Sequence, residues 1–262
     1  MNLKKLKANQ GFTDKDFASL LDEYQYNLNL GDIVAGTIFS EEAQGFLVDI
    51  GANIAAYLPK EENALQSKSC KTINIINNTR EFFILAYNKH SKQLILSIRR
   101  LEYIRAWSRI KQMQAEDIIT YLPIQKINKG GFLTIIEGIQ AFIPNSHIVD
   151  NSIINEVIPC QFLIVNEKLN KIILSNRRAI LTKYKNIIHI GQTVEGIITK
   201  ITHYGIFIKI QQIPALLHIS EIGNEHINHI DTGFQTGNKI IVKIIHIDKK
   251  QGRLSVSRRN LN

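Results

Sequence analysis

The sequence has no run of about 18 apolar residues, so nothing in it reads as a membrane-spanning helix. Its start, MNLKKLKANQGFTDKDF, lacks the apolar core of a secretory leader, and Asp14 and Asp16 come too early for a transit peptide. Cysteine is scarce. Cys70 and Cys160 are too few for a disulfide framework and lack zinc-site spacing, which fits two small core or half-buried thiols in a reducing compartment. No phosphate-cradling glycine loop, HExxH or nucleophile elbow occurs. The KGG at 129–131 leads into a strand-like run instead of opening a helix. Asp14 and Asp16 have no carboxylate partners at a hydrolytic spacing. These absences argue against an enzyme, a cofactor and a resident metal.

What is present is positive charge, unevenly spread. The formal net charge is +9 over 262 residues. Residues 1–30 are neutral and residues 31–100 carry +1, whereas 101–190 and 191–262 carry +4 each. A surface of this kind favours polyanions. At 44% hydrophobic and 21% charged, the composition is that of an ordinary soluble protein with room for two or three domains.

A pattern recurs three times. The C-terminal copy runs GQTVEGIITKITHYGIFIKI (191–210), IPALLHISEI (213–222) and GNKIIVKIIHIDKKQGRLSVSRR (237–259). The middle copy carries KGGFLTII (129–136), GIQAFIPNSHI (138–148) and VNEKLNKIILSNRR (165–178). The first carries GDIVAGTI (31–38), QGFLVDIGANIAAYLPKEE (44–62) and YNKHSKQLILSIRR (87–100). Gly31 to Gly45 and Gly191 to Gly205 are both 14 residues, and Gly45 to Ser97 and Gly205 to Ser257 are both 52. Gly131 to Ser175 is 44, a deficit that falls in a loop.

Within the copies the period is that of strands. Ile206, Ile208 and Ile210 alternate with Phe207 and Lys209, which puts the isoleucines inside and the other two outside. Phe46, Val48 and Ile50, and Phe132, Thr134 and Ile136, take the same inward phase. The fold expected is mainly β: three tandem five-stranded barrels of the oligonucleotide-binding type, joined by short helical linkers. The boundaries expected are a helical segment over 1–30, barrels over 31–100, 117–178 and 191–262, and linkers over 101–116 and 179–190. Thr13 caps the first helix, whose face is Phe17, Leu20, Leu21 and Tyr24, and its expected job is docking. Leu101, Ile104, Trp107 and Ile110 repeat at helical spacing in the linker. There Trp107 fits packing better than base stacking.

The combination of GxxVxG (191–196), YGIF (204–207), LLHIS (216–220) and the ID…GRLSVS run ending at Ser257 resembles the S-one RNA-binding domain family. Three copies extend the resemblance over most of the chain, and the short three-copy arrangement resembles plastid and cyanobacterial members. Heavy use of Ile, Asn and Lys fits an AT-rich, organelle-encoded gene. The resemblance implies non-catalytic binding of single-stranded RNA, messenger RNA in particular, on the small ribosomal subunit of a plastid or of a bacterial-type cytoplasm. It further implies that Tyr204 and Phe207 stack on bases, that His218 stacks or contacts phosphate, and that Asp248 and Arg253 flank the last hairpin as a polar pair.

Independently of the family, unpaired bases expose flat apolar faces that rings cover, and Lys209, Lys250 and Arg253 neutralise the backbone beside them. Gly205 is expected to bulge its strand so that Tyr204 and Phe207 both face outward. His226 and His229, which cluster with His218 in sequence, read as loop residues and not as metal ligands. The matching positions of the first copy are Gln44, Leu47, Pro59, Asn88 and Gln93, and those of the second are Gly130, Leu133, Pro144, Asn166 and Lys171. Neither has the aromatic pair, the histidine or the arginine. The near-neutral first copy is therefore expected to dock, and the second to follow the RNA backbone through Lys126, Lys129, Lys171, Arg177 and Arg178. The rival functions are a ribosome-independent RNA chaperone or stability factor and an RNA-targeting part of a nuclease.

Overall fold

A computed structural model describes residues 28–52, 54–63, 76–88, 93–149, 157–223, 234–259 and 261. The expected helix at 12–27, Cys70, His226 and His229 lie outside the described residues. The chain forms two compact units, one through Glu102 and one from Tyr103 onward.

The first unit holds strands β1 (Ile33–Glu41), β2 (Gly45–Asp49), β3 (Ala56–Pro59), β4 (Thr79–Asn88) and β5 (Gln93–Ser97), closed in the order β1-β2-β3-β5-β4. Ile38, Phe46, Val48, Leu58, Phe82, Ile84 and Leu96 fill the barrel, each at most 4% exposed. Fully burying one such side chain stabilises by roughly 1.5–3 kcal/mol, so a small core depends on each of them.

Helix α1 (Ile98–Ala115) starts in the first unit, where Ile98 joins the barrel core. From Tyr103 it belongs to the second unit. There Trp107 is 1% exposed, so it packs. Arg109 and Lys111 pair with Glu137 and Glu167 on two hairpin turns of the second barrel.

That barrel comprises β6 (Thr120–Pro123), β7 (Lys126–Asn128), β8 (Gly131–Ile136), β9 (Ile139–Pro144), β10 (Val157–Asn166) and β11 (Lys171–Ser175). Its six-stranded sheet runs β6-β10-β11-β9-β8-β7. The five strands expected have become six because the first is interrupted at Pro123, which has no N–H to donate to a ladder. Across the interruption Thr134 Oγ1 donates to the Pro123 carbonyl at 2.7 Å, and Gln125 N donates to the Leu133 carbonyl at 3.0 Å. Cys160 is fully buried, and burial pushes its thiol up to about 12, which leaves it protonated and inert.

Helix α2 (Asn176–Lys183) leads to the third barrel. This barrel has β12 (Thr193–Thr202), β13 (Gly205–Ile210), β14 (Ile213–His218), β15 (Lys239–Asp248) and β16 (Arg253–Ser257), closed as β12-β13-β14-β16-β15. Ile206, Ile208 and Ile210 are at most 2% exposed, as the alternation requires.

The recurring serine has a physical role. Ser97 Oγ accepts from Arg100 N at 2.8 Å, Ser175 Oγ from Arg178 N at 3.2 Å, and Ser257 Oγ from Arg259 N at 3.1 Å. In the first two barrels this serine caps the helix that follows the last strand, satisfying an amide left over at its start. Each fourth long strand also bulges at one equivalent place, between Ile84 and Ala86, Phe162 and Ile164, and Ile244 and His246. Such bulges bend a strand around a barrel corner.

Candidate nucleic-acid interface

Alternation along β13 and β14 turns Phe207, Lys209, Pro214, Leu216 and His218 to the outer face of the third barrel, while Ile206, Ile208, Ile213, Ala215 and Leu217 turn in. Cross-strand register lines up one row as Lys200, Phe207, Leu216, Ser255 and His246. A second row contains Ile197, Lys209 and Pro214, and a third pairs Gly205 with His218.

Tyr204 reaches this face by a route other than the one expected. The strand does not bulge at Gly205; the irregularity lies on β12, between Ile198 and Lys200. Tyr204 instead stands in the tight turn between β12 and β13, 41% exposed. Gly205 is needed for close approach, because a Cβ there would lie 2.5 Å from the Leu217 carbonyl oxygen. Tyr204 and Phe207 meet edge to face with ring centroids 6.0 Å apart, and His203 meets Tyr204 edge to face at 5.1 Å. The result is a ridge of three rings. His203 was missed by the sequence reading, although its place beside YGIF was visible.

His218 Nδ1 accepts from Ser220 N at 3.3 Å and lies 2.8 Å from Ser220 Oγ. Acceptance at Nδ1 assigns the neutral ring's proton to Nε2, so a donor is left for a ligand. Asp248 and Arg253 face each other across the last hairpin, but the Asp248 carboxylate accepts from the amides of Lys250 and Gln251 at 3.0 and 3.1 Å. Asp248 therefore shapes the turn, while the exposed Lys250 and Arg253 carry the charge. Lys200, next to Phe207 in the row and exposed, is a cation the sequence reading left out.

The other two barrels place their rings differently. Equivalent rows read Lys126, Leu133, Phe142, Ile173 and Ile164 in the second barrel, and Ser40, Leu47, Tyr57, Ile95 and Ala86 in the first. The aromatic and the leucine have exchanged strands. Tyr57 and Phe142 are both partly exposed and lie against the glycine of the neighbouring strand. A Cβ on Gly45 would sit 2.5 Å from Tyr57 Cζ, and one on Gly131 2.8 Å from Phe142 Cζ. At the positions that match Tyr204 and Phe207, the first barrel has Gln44 and Leu47 and the second has Gly130 and Leu133.

Among the expected cations of the second barrel, Lys126, Lys129 and Lys171 are exposed. Arg178 is committed internally: it pairs with Asp117 at 2.5 Å and donates to the Phe162 carbonyl at 3.1 Å, which takes it out of the surface available to a ligand. Arg177 donates through Nε to the Ile148 carbonyl at 3.2 Å and is half-buried. His147 Nδ1 lies 3.0 Å from Ser175 Oγ, and burial, then Arg177 and Arg253, hold its pKa below the usual histidine value.

The profile of the S1 RNA binding domain matches residues 188–259, which is the barrel with the ridge. Over 260 residues the chain is 51% identical to the small ribosomal subunit protein bS1c of Pyropia yezoensis, covering 97% of this chain and 99% of that one. It is 44% identical to bS1A of Synechocystis over 97% of this chain and 79% of the relative. It is 38% identical to bS1c of Spinacia oleracea over 95% of this chain and 62% of the relative. With this near full-length identity, and two closed barrels on either side of a six-stranded barrel-like sheet, the chain belongs to the bS1 family of small ribosomal subunit proteins.

Proposed function

We propose that the protein is an RNA-binding constituent of the small ribosomal subunit of a plastid, and that it holds unstructured messenger RNA on the outer face of the third barrel near the start site. The observation that carries this reading is the ridge of His203, Tyr204 and Phe207 standing on one outer face with Lys200, Lys209 and His218. Rings cover splayed bases at roughly 1–3 kcal/mol per base, and the cations follow the phosphates. The second barrel adds weaker contacts through Lys126, Lys129 and Lys171, which become intramolecular once the third barrel is engaged. The first barrel docks. Ile33 on β1, and Leu85 and Tyr87 on β4, are 43–52% exposed there, and the segment is nearly neutral.

Replacing Tyr204 and Phe207 together with Ala is expected to weaken binding of unstructured RNA at least about tenfold. Binding that survives the double replacement overturns the ridge as the site. Cosedimentation with small subunits at low salt tests the assembly. Protein found wholly in the ribosome-free fraction favours a free RNA chaperone.

A further inference from the structure

We propose that Arg177 of the second barrel and Arg253 of the third together grip one phosphodiester group of the bound strand, so that RNA leaving the third barrel passes directly onto the second. This rests on the reading of the third barrel as the RNA-binding face.

The two arginines are brought together by a docked hairpin. Gly252, in the turn between β15 and β16, has φ +65°, and a Cβ there would lie 2.6 Å from both the Arg177 carbonyl carbon and the Arg178 nitrogen. The turn therefore sits directly on the first residues of α2, and Arg253 is the next residue along. Its cross-strand neighbour Asp248 has its carboxylate engaged by the turn amides. Among the described residues no carboxylate pairs with Arg253 or with Arg177. The Nε bond to Ile148 fixes the plane of the Arg177 guanidinium. Its two terminal nitrogens have no partner among the described residues.

Arg178, the neighbouring cation, is paired with Asp117, whereas Arg177 has no carboxylate partner among the described residues. Burial, and then the charge of Arg253, hold Arg177 below the usual guanidinium value, and both arginines press on His147. Two like charges held close without an anion oppose each other. A phosphate with several acceptor oxygens relieves that opposition and suits the planar fork of arginine.

The test uses the full chain, an unstructured RNA of about 16 nucleotides, and binding measured across salt concentration. Arg177→Gln and Arg253→Gln are each expected to weaken binding roughly tenfold at low salt while leaving the log–log salt slope near its wild-type value, because the remaining arginine still neutralises the shared phosphate. The double variant is expected to reduce the slope by about 0.7, the step for one phosphate. Arg177→Lys, which keeps the charge, is expected to keep the slope while losing part of the affinity. A slope that falls by a full step in each single variant and by two in the double, or that does not change in the double variant, overturns the shared grip. Thermal unfolding of each variant separates loss of the Ile148 bond from loss of the ligand. If the chain with both arginines intact binds RNA as before after Tyr204→Ala and Phe207→Ala, the underlying reading fails instead, whatever the arginine variants do.

Discussion

The second and third barrels use the same kinds of side chain on the same outer row, yet arrange them oppositely. In the third, the ring stands on β13 and the leucine on β14; in the second, the leucine stands on β8 and the ring on β9. Both rows begin with an exposed lysine, Lys200 or Lys126. The third continues into Ser255 and His246, whereas the second continues into Ile173 and Ile164. The difference shows that a ring's strand decides its company. On β13, Phe207 is within edge-to-face reach of Tyr204, and the two make a platform wider than one base. On β9, Phe142 lies against Gly131, with apolar neighbours beyond it.

The strongest way to break this comparison is to impose the second barrel's arrangement on the third. Phe207→Leu with Leu216→Phe keeps the composition of the row and moves the ring by one strand. If the pairing with Tyr204 makes the platform, RNA affinity falls about five- to tenfold, the cost of roughly one stacked base. Fluorescence anisotropy with an unstructured oligonucleotide measures it. Unchanged affinity means that ring position is immaterial.

A smaller effect is expected in the second barrel itself. Phe142→Leu removes the only aromatic of that row but leaves Lys126, Lys129 and Lys171 in place. Affinity for an RNA of about 16 nucleotides should fall two- to threefold, and affinity for one of about 4 nucleotides should not change, since that length fits on a single barrel. Unchanged affinity at both lengths would place Phe142 outside the RNA path.

The division between what the sequence disclosed and what it hid follows the range of the interactions involved. The triple repeat was legible because Ser97, Ser175 and Ser257 bond to amides only two or three residues on, so the spacing itself carries the cap. The inward isoleucines of β13 were legible because side chains alternate within one strand. Tyr57 and Phe142 were not recognised as outward rings, because their meaning depends on which residue of the next strand faces them. The approach of the Gly252 turn to the backbone of Arg177 and Arg178 was still less accessible: it depends on a glycine turn of one barrel docking on a helix that follows another. The break at Pro123 was local and could have been read, since proline has no amide for a continuous ladder.

The first barrel supplies the control with the smallest expected effect. Its row has the second barrel's order, with Leu47 on β2 and Tyr57 on β3, but it begins with Ser40 where the others have lysine. A ring alone gives a base a surface to rest on; it does not bring the phosphate chain to that surface. Tyr57→Leu and Leu47→Ala should therefore each change RNA affinity by less than about twofold, provided the variants unfold at the wild-type temperature. Tyr57→Leu should leave the salt slope where it was, because no cation of the row is lost. A loss comparable with that of the third barrel's rings would mean that the first barrel grips RNA without a flanking lysine. The separation of a docking barrel from a gripping one would then rest on neither charge nor ring position.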